Sequence, residues 1–253
     1  MNRSVLTASA AMLLTLSSAC SEAQVEEVLN SDRASVETAT EADSAPLASD
    51  REMTVNGLAG SFRDAGGDAP AILIVPGSGP TDRNGNSPSG IAASSYRMLA
   101  DGLQAAGVSS LRVDKHGMFG SSAAGDGNAV TVDLYAQDYL DWADALRAET
   151  GRDCVHLLGH SEGGLMVSAA AARDSEGLCG LILVAAPGRP LGDVLREQLR
   201  ANPANAPILP DALATIDALE AGERVDVSAM HPALQGLFAP AVQGFLISSL
   251  AAD

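Results

Sequence analysis

A serine between two glycines offers the clearest chemistry in this sequence. Ser161 lies at the centre of residues 159–163, which have the pattern Gly-x-Ser-x-Gly. An apolar run, residues 155–158, precedes the pattern, and an Ala-rich stretch typical of helices, residues 165–172, follows it. This order predicts a strand, a very tight turn and a helix, and so sharp a turn leaves space only for glycine two positions either side of its centre. Ser161 is therefore a candidate nucleophile, although an ordinary serine in a glycine-rich βα turn has the same pattern.

A second glycine-rich loop precedes this serine. Residues 76–86 read Pro-Gly-Ser-Gly-Pro-Thr-Asp-Arg-Asn-Gly-Asn and follow the apolar run 71–75, which predicts a strand buried on both faces of a sheet. Glycines leave backbone N–H groups open, which suits a loop that donates hydrogen bonds to a developing oxyanion. A plain surface turn is the alternative. The loop comes one strand–helix–strand–helix unit before Ser161, and this position favours the oxyanion interpretation.

Strands and helices alternate along the middle of the chain. We predict a β-hairpin over residues 53–62 that turns at Asn56-Gly57, strands over 108–113, 154–159 and 181–185, and helices over 96–106, 132–149 and 163–173. Repeated βα units form a parallel sheet covered by helices, with ligands bound beyond the carboxyl ends of the strands. Three glycine-rich segments are therefore predicted at one edge of the sheet: the loop 76–86, the turn at Ser161 and residues 114–122.

Four segments together resemble the α/β-hydrolase superfamily, and specifically its bacterial esterases of the serine aminopeptidase and monoacylglycerol-lipase-like branch. They are residues 76–83, 112–117, 159–164 and 185–190. The resemblance implies an α/β fold with a mostly parallel sheet, helices on both faces, an N-terminal β-hairpin and a helical lid.

The same resemblance assigns the site. It implies that Ser161 is the nucleophile and that the backbone N–H groups of Ser78 and Glu162 form the oxyanion hole. His116 stands where relatives usually have arginine, a departure that bears on loop packing more than on catalysis.

The resemblance divides the folded part into a hydrolase core, residues 51–188, and a helical lid, residues 189–253. In the lid we predict helices over residues 191–200, 211–222 and 240–250. Apolar side chains there either line an acyl pocket or pack between helices, and the candidates are Leu234, Leu237, Phe238 and Phe245.

A serine hydroxyl needs a base to take up its proton and an acid to orient that base. In α/β-hydrolases the acid, and then a histidine, follow later strands, and residues 189–253 predict no such strands. We therefore expect a C-terminally truncated hydrolase that is inactive or incomplete as this chain.

None of the four histidines is a strong substitute for that base. His156 lies within a predicted strand, His160 neighbours the nucleophile and points to the opposite side, and His231 lies in the lid before a proline. His116, on a loop at a strand's carboxyl end, is the best placed of the four. Asp193 is a candidate acid, although the helix dipole explains an aspartate at the start of a helix equally well.

The N-terminus reads as an export signal. Residues 1–20 combine one positive charge, an apolar run and small residues before Cys20. The residues around Cys20 resemble a bacterial lipobox, so we expect a lipid anchor there and a place in the bacterial cell envelope. Simple cleavage before Cys20 would instead give a periplasmic or secreted protein. Residues 21–50 are acidic and polar, which predicts a disordered tether.

Composition limits the partners. The 32 Asp and Glu residues outnumber the 15 Lys and Arg residues, and the net charge of −17 disfavours nucleic acid and anionic membranes, so membrane contact is expected only through Cys20. No cluster has metal-ligand spacing and no loop has a phosphate-binding pattern, so we predict no metal and no cofactor. The apolar edge of an incomplete parallel sheet predicts self-association.

Two further cysteines lie at or just before the start of a predicted strand. Cys154 and Cys179 are able to form a disulfide in an oxidising compartment, because their strands should be neighbours. Two small buried thiols are the alternative, which the sequence slightly favours.

Two functions are consistent with these residues. The first is a carboxylic ester hydrolase that acts on a small acyl ester through an acyl-enzyme on Ser161. The second is a non-catalytic binding lipoprotein that keeps the hydrolase fold.

Overall fold

The computed structural model describes residues 50–252. The predicted export signal, the lipidation site Cys20 and all but the last residue of the predicted tether lie outside the described residues. Among those described, no helix has the length and apolar character needed to cross a membrane.

A six-stranded, mostly parallel sheet forms the centre of the fold. Its spatial order is β1-β2-β6-β3-β7-β8, and a separate two-stranded ribbon pairs β4 with β5. β1 and β2 form an antiparallel hairpin, β2 pairs antiparallel with β6, and the remaining pairs in the sheet are parallel. The strands are β1 Arg51–Val55, β2 Leu58–Arg63, β3 Ala71–Val75, β4 Asn86–Ser87, β5 Ile91–Ala92, β6 Ser109–Val113, β7 Val155–His160 and β8 Leu178–Val184.

The alternation of side chains along the strands explains why helices cover both faces of the sheet. Leu73, Leu111 and Leu157 lie on one face, where they pack with residues of α2 and α3 in the main core. Ile72, Ile74 and Leu158 lie on the other face and pack against Tyr96 of α1. The predicted α/β-hydrolase architecture is confirmed, including the hairpin, whose turn residues Asn56 and Gly57 both have positive φ.

Helices that follow the sheet form a second apolar core of their own. The helices are α1 Ser95–Ala105, α2 Val132–Thr150, α3 Glu162–Arg173, α4 Leu191–Ala201, α5 Leu209–Glu220, α6 Pro232–Leu237 and α7 Gln243–Leu250. Leu199 of α4, Ile216 of α5 and Leu234 of α6 are buried together in that second core. Phe245 of α7 packs edge-on against Tyr135 of α2, with ring centroids 5.8 Å apart, and so joins the helices to the main core.

The helical part differs most from the prediction around residues 231–243. α6, Pro232–Leu237, was not predicted, and residues 240–242 are not helical although the prediction placed a helix start there. The ring Nδ1 of His231 accepts a hydrogen bond from the Ala233 N–H (3.2 Å) and caps the start of α6, and Pro240 lies between α6 and α7.

A disulfide links the amino ends of β7 and β8. Cys154 and Cys179 have Cα atoms 5.1 Å apart and their sulfurs are bonded, so the preference for two buried thiols is wrong. Cys179 is also exposed, so it does not lie in the core as the alternative of two buried thiols requires. The bond lies at the end of the strands opposite to the glycine-rich loops.

We expect the Cys154→Ser/Cys179→Ser variant to lose roughly 3 kcal/mol in free energy of unfolding, because the bond closes a loop in the unfolded chain. Urea unfolding of the oxidised protein measures the difference. Cys20→Ser removes the third cysteine and leaves the bond intact, so it serves as the control. Two reactive thiols from Cys154 and Cys179, found in denaturant without reductant, would show that the bond does not form.

The strand β8 is an edge strand with apolar side chains on the surface. Leu181, Ile182, Leu183 and Val184 are 36% to 52% exposed, although successive strand residues point to opposite faces. Apolar surface is therefore open on both faces of this edge, beside backbone groups able to pair with another strand.

We expect the purified chain to self-associate by pairing β8 with β8 of a second copy, and Leu183→Lys to shift it toward monomer, because a charge on an edge strand opposes pairing. Sedimentation velocity over a concentration series measures this. Met98→Lys is the matched control, since Met98 is 66% exposed on α1, the helix that packs against β6. A wild-type chain that sediments as a monodisperse monomer contradicts the expectation.

Candidate active site

The serine turn has the strained backbone that the sequence predicts. Ser161 has φ 53° and ψ −122°, between β7 and α3. Its N–H donates to the Val184 carbonyl of β8 (2.9 Å), and its carbonyl accepts from the Gly164 N–H (2.9 Å). The turn is thus held by backbone hydrogen bonds on both sides while the serine side chain remains partly exposed.

Glycine at positions 159 and 163 permits a close approach of three backbone segments. A Cβ on Gly163 would lie 2.6 Å from the Pro76 carbonyl oxygen and 2.7 Å from that of Val75, at the end of β3. A Cβ on Gly159 would overlap the Gly163 backbone. The predicted requirement for glycine on both sides of Ser161 is confirmed, and the reason is backbone packing against β3 as well as the turn itself.

The loop after β3 runs beside the serine. A Cβ on Gly77 would lie 3.3 Å from the Ser161 Cβ and 3.0 Å from the His160 Nδ1. The Gly77 N–H donates to the Tyr96 hydroxyl (3.1 Å), and that hydroxyl lies 2.8 Å from the His160 Nδ1. The direction of this second hydrogen bond depends on the His160 tautomer, and neutral His160 with an unprotonated Nδ1 accepts the Tyr96 proton. Burial lowers the pKa of His160, which favours the same neutral form.

Lys115 lies on the other side of this loop. Its Nζ donates to the Gly77 carbonyl (2.8 Å) and lies 3.8 Å from Oε1 of Glu162. The Lys115 side chain is 3% exposed and that of Glu162 is 19% exposed. Burial lowers the pKa of Lys115 and raises the pKa of Glu162, and in each case the charge of the partner opposes the effect of burial.

Asp114 connects the loop after β3 with the glycine-rich loop after β6. Its carboxylate accepts from the Arg83 N–H (2.8 Å) and from the Gly120 N–H (3.1 Å). Burial raises the pKa of this carboxyl, and the two N–H donors and the nearby Arg83 guanidinium oppose that rise. The loops after β3 and β6 are therefore fixed to each other beside the serine turn.

The two predicted oxyanion donors lie on the elements that surround Ser161. Ser78 is exposed and follows Gly77 directly, while Glu162 is the first residue of α3. Within residues 50–252, neither the Ser78 N–H nor the Glu162 N–H donates a hydrogen bond to the protein. A free N–H at a helix N-terminus also carries the positive end of the helix dipole.

The four histidines lie in four different environments. His116 Nδ1 lies 3.1 Å from Oδ2 of Asp138 on α2, and a Cβ on Gly125 would lie 2.8 Å from its Nε2. His231 caps α6, His160 pairs with Tyr96, and His156 lies within β7. In the part of the chain that the structure describes, none of them hydrogen-bonds the Ser161 hydroxyl.

The remaining candidates from the sequence, Asp193 and the apolar lid residues, contact other protein side chains. Asp193 is exposed in the first turn of α4, where it lies 3.8 Å from Arg196. Leu234 and Phe238 are buried in the second core and Leu237 packs against it. The residues 50–252 contain no group of three His, Cys, Asp or Glu side chains suited to bind a metal ion.

Sequence reasoning missed Lys115 and Tyr96. Both contact Gly77, yet nothing in the sequence marks them, because Lys115 follows a strand like many surface lysines and Tyr96 opens an ordinary helix. The one available signal was the glycine between them in space, which predicts a close approach but not its partners.

The sequence of this chain is similar to that of known hydrolases. Residues 90–215 match the family described as serine aminopeptidase, S33. The chain is 30% identical over 155 residues to esterase EstD of Thermotoga maritima, an alignment that covers 60% of this chain and 35% of EstD. The chain thus spans about a third of the length of that relative.

Solved structures of hydrolases are also similar at low identity. A thermostable carboxyl esterase from Bacillus coagulans is 18% identical with a TM-score of 0.47, covering 74% of this chain and 55% of that one. An epoxide hydrolase from hot-environment metagenomes is 21% identical with a TM-score of 0.46, covering 81% and 71%. With its mostly parallel sheet and its strained serine turn, this chain has the α/β-hydrolase fold, and over residues 90–215 it is similar to the serine aminopeptidase family.

Proposed function

We propose that this protein is a carboxylic ester hydrolase that acts through an acyl-enzyme on Ser161. The observation that carries the proposal is the backbone of Ser161, whose φ of 53° is held by close packing against β3. A strained non-glycine residue costs about 1–3 kcal/mol and persists where the surroundings enforce it, which is typical of a functional site. The esterase name of the Thermotoga maritima relative supports an ester as the substrate class.

The reaction has two steps. The Ser161 oxygen attacks the ester carbonyl carbon, the C–O bond to the alcohol breaks, and the alcohol leaves with the proton that the serine hydroxyl loses. Water then attacks the acyl-enzyme, which releases the carboxylic acid and restores the hydroxyl. In both steps the carbonyl oxygen becomes an oxyanion, and the N–H groups of Ser78 and Glu162 are proposed to bind it.

We propose no residue of this chain as the base for Ser161. The prediction that the triad acid and histidine belong to a portion beyond this chain stays a prediction. Part of the rate acceleration does not require a base. In serine hydrolases that lack a triad member, the oxyanion hole and substrate binding still give about 10³–10⁴-fold acceleration. The proposed nucleophile and oxyanion donors are therefore testable in this chain by themselves.

Export is part of the same proposal. The disulfide between Cys154 and Cys179 supports it, because such bonds persist in oxidising compartments outside the cytosol. A lipid on Cys20 would hold the enzyme at the cell envelope, and its substrates would be small esters that reach that surface.

The expected result is a slow, Ser161-dependent reaction with a fluorophosphonate probe, followed by intact mass over hours. The Ser161 oxygen bonds to phosphorus, fluoride leaves, and the hydroxyl proton goes to solvent. We expect labelling at least about tenfold faster than in the same chain unfolded in urea, because the oxyanion donors stabilise the transition state.

The control is Ser161→Ala, which should not be labelled. Labelling that persists in this variant, or a folded wild-type chain that reacts no faster than the unfolded one, would rule out Ser161 as an activated nucleophile. The second outcome would favour the non-catalytic binding lipoprotein.

A further inference from the structure

We infer that Lys115 is a positioning residue that holds both oxyanion-hole amides, the N–H groups of Ser78 and Glu162, in place through one buried ammonium group. The inference rests on the proposed function and adds to it a residue outside the nucleophile turn. It follows from which atoms the ammonium contacts.

The first contact acts on the Ser78 amide. Lys115 Nζ donates to the Gly77 carbonyl at 2.8 Å. That carbonyl and the Ser78 N–H belong to one planar peptide unit, and no peptide bond in the described residues is cis, so the two groups point in opposite directions. A bond that fixes the carbonyl therefore fixes the direction of the N–H. A charged donor on the carbonyl also polarises the amide and strengthens its N–H as a donor.

The second contact acts on Glu162. The same ammonium lies 3.8 Å from the Glu162 carboxylate, and the N–H of Glu162 is the other proposed oxyanion donor. One cation thus contacts the loop after β3 and the first residue of α3. In this inference, the link sets the separation between the two N–H groups.

Stability alone does not account for such a pair. A buried ion pair generally stabilises a fold no better than apolar side chains of the same volume, because both charges lose their hydration. Lys115 is almost fully buried and still directs its charge at a carbonyl oxygen. A role in positioning the loop explains why a charge is kept there.

Tyr96 contacts the other peptide unit of Gly77, so its role differs from that of Lys115. The Tyr96 hydroxyl accepts from the Gly77 N–H, a group of the preceding peptide unit between Pro76 and Gly77. Within residues 50–252, only Lys115 hydrogen-bonds to the peptide unit that contains the Ser78 N–H.

The test uses two probes that differ in one atom. A fluorophosphonate presents P=O to the oxyanion hole, and its fluorophosphonothioate analogue presents P=S, a weak hydrogen-bond acceptor. The variant is Lys115→Met/Glu162→Gln, which removes both charges and leaves no unpaired buried ion. Asp138→Asn is the matched control, because it removes the carboxylate charge from the part-buried pair with His116 without contacting Gly77.

We expect the double variant to lose about tenfold or more in the labelling rate constant with P=O and less than about threefold with P=S, since a misplaced donor affects only the strong acceptor. Asp138→Asn should change neither. Equal losses with both probes, or no loss, would overturn the positioning role. A wild-type chain that neither probe labels at Ser161 would instead mean that the proposed function fails.

A measurement on the wild-type chain covers the case in which the variant does not fold. The ratio of the P=O rate constant to the P=S rate constant should fall as pH rises through the pKa of Lys115, because the neutral amine is a weaker donor. Burial holds that pKa below its ordinary 10.5. The tyrosines near the pair are Tyr96, Tyr135 and Tyr139, and burial raises the pKa of each, so they stay neutral. A ratio that stays constant up to pH 10.5 would contradict the inference.

Discussion

The turn at Ser161 exists because three backbone segments lie closer together than side chains would allow. Gly163 packs against the carbonyls that end β3, Gly159 packs against Gly163, and Gly77 lies against Ser161. Every proposed catalytic group depends on this contact, since the nucleophile and both oxyanion donors lie on the segments that meet there. Parallel pairing of β3 with β7, which sets Val75 beside Gly159, delivers those segments to the same edge.

Buried cations anchor the loops at that edge from within the sheet. Lys115 bonds to Gly77, and Arg112, which is fully buried on β6, donates to Oδ1 of Asn84 (2.5 Å) and pairs with Asp50. Arg112 lies in β6, and Lys115 follows two residues after the end of that strand. A loop rich in glycine has little apolar surface with which to pack, so charge-assisted hydrogen bonds to its backbone and side chains give it a defined shape.

Much of this fold is predictable from the sequence because the signals are local. Apolar runs mark β3 and β7, Asn56-Gly57 marks the hairpin, and residues 159–163 mark the nucleophile turn. The roles of Lys115 and Tyr96 depend on contacts between distant segments, which no local pattern contains. The start of α6 was missed because it depends on a histidine cap, and the disulfide was left open because spacing alone does not distinguish bonded sulfurs from thiols.

The division of apolar side chains between two cores has an evolutionary consequence. Helices α4 to α6 bury their side chains mainly with each other, and α7 carries the link to α2 through Phe245 and through Ser248, whose hydroxyl accepts from the Val132 N–H (3.1 Å). Mutations within the second core can therefore accumulate without repacking the sheet that carries Ser161. A lineage with this arrangement is free to diversify the helices α4 to α6 while the sheet that carries Ser161 stays unchanged.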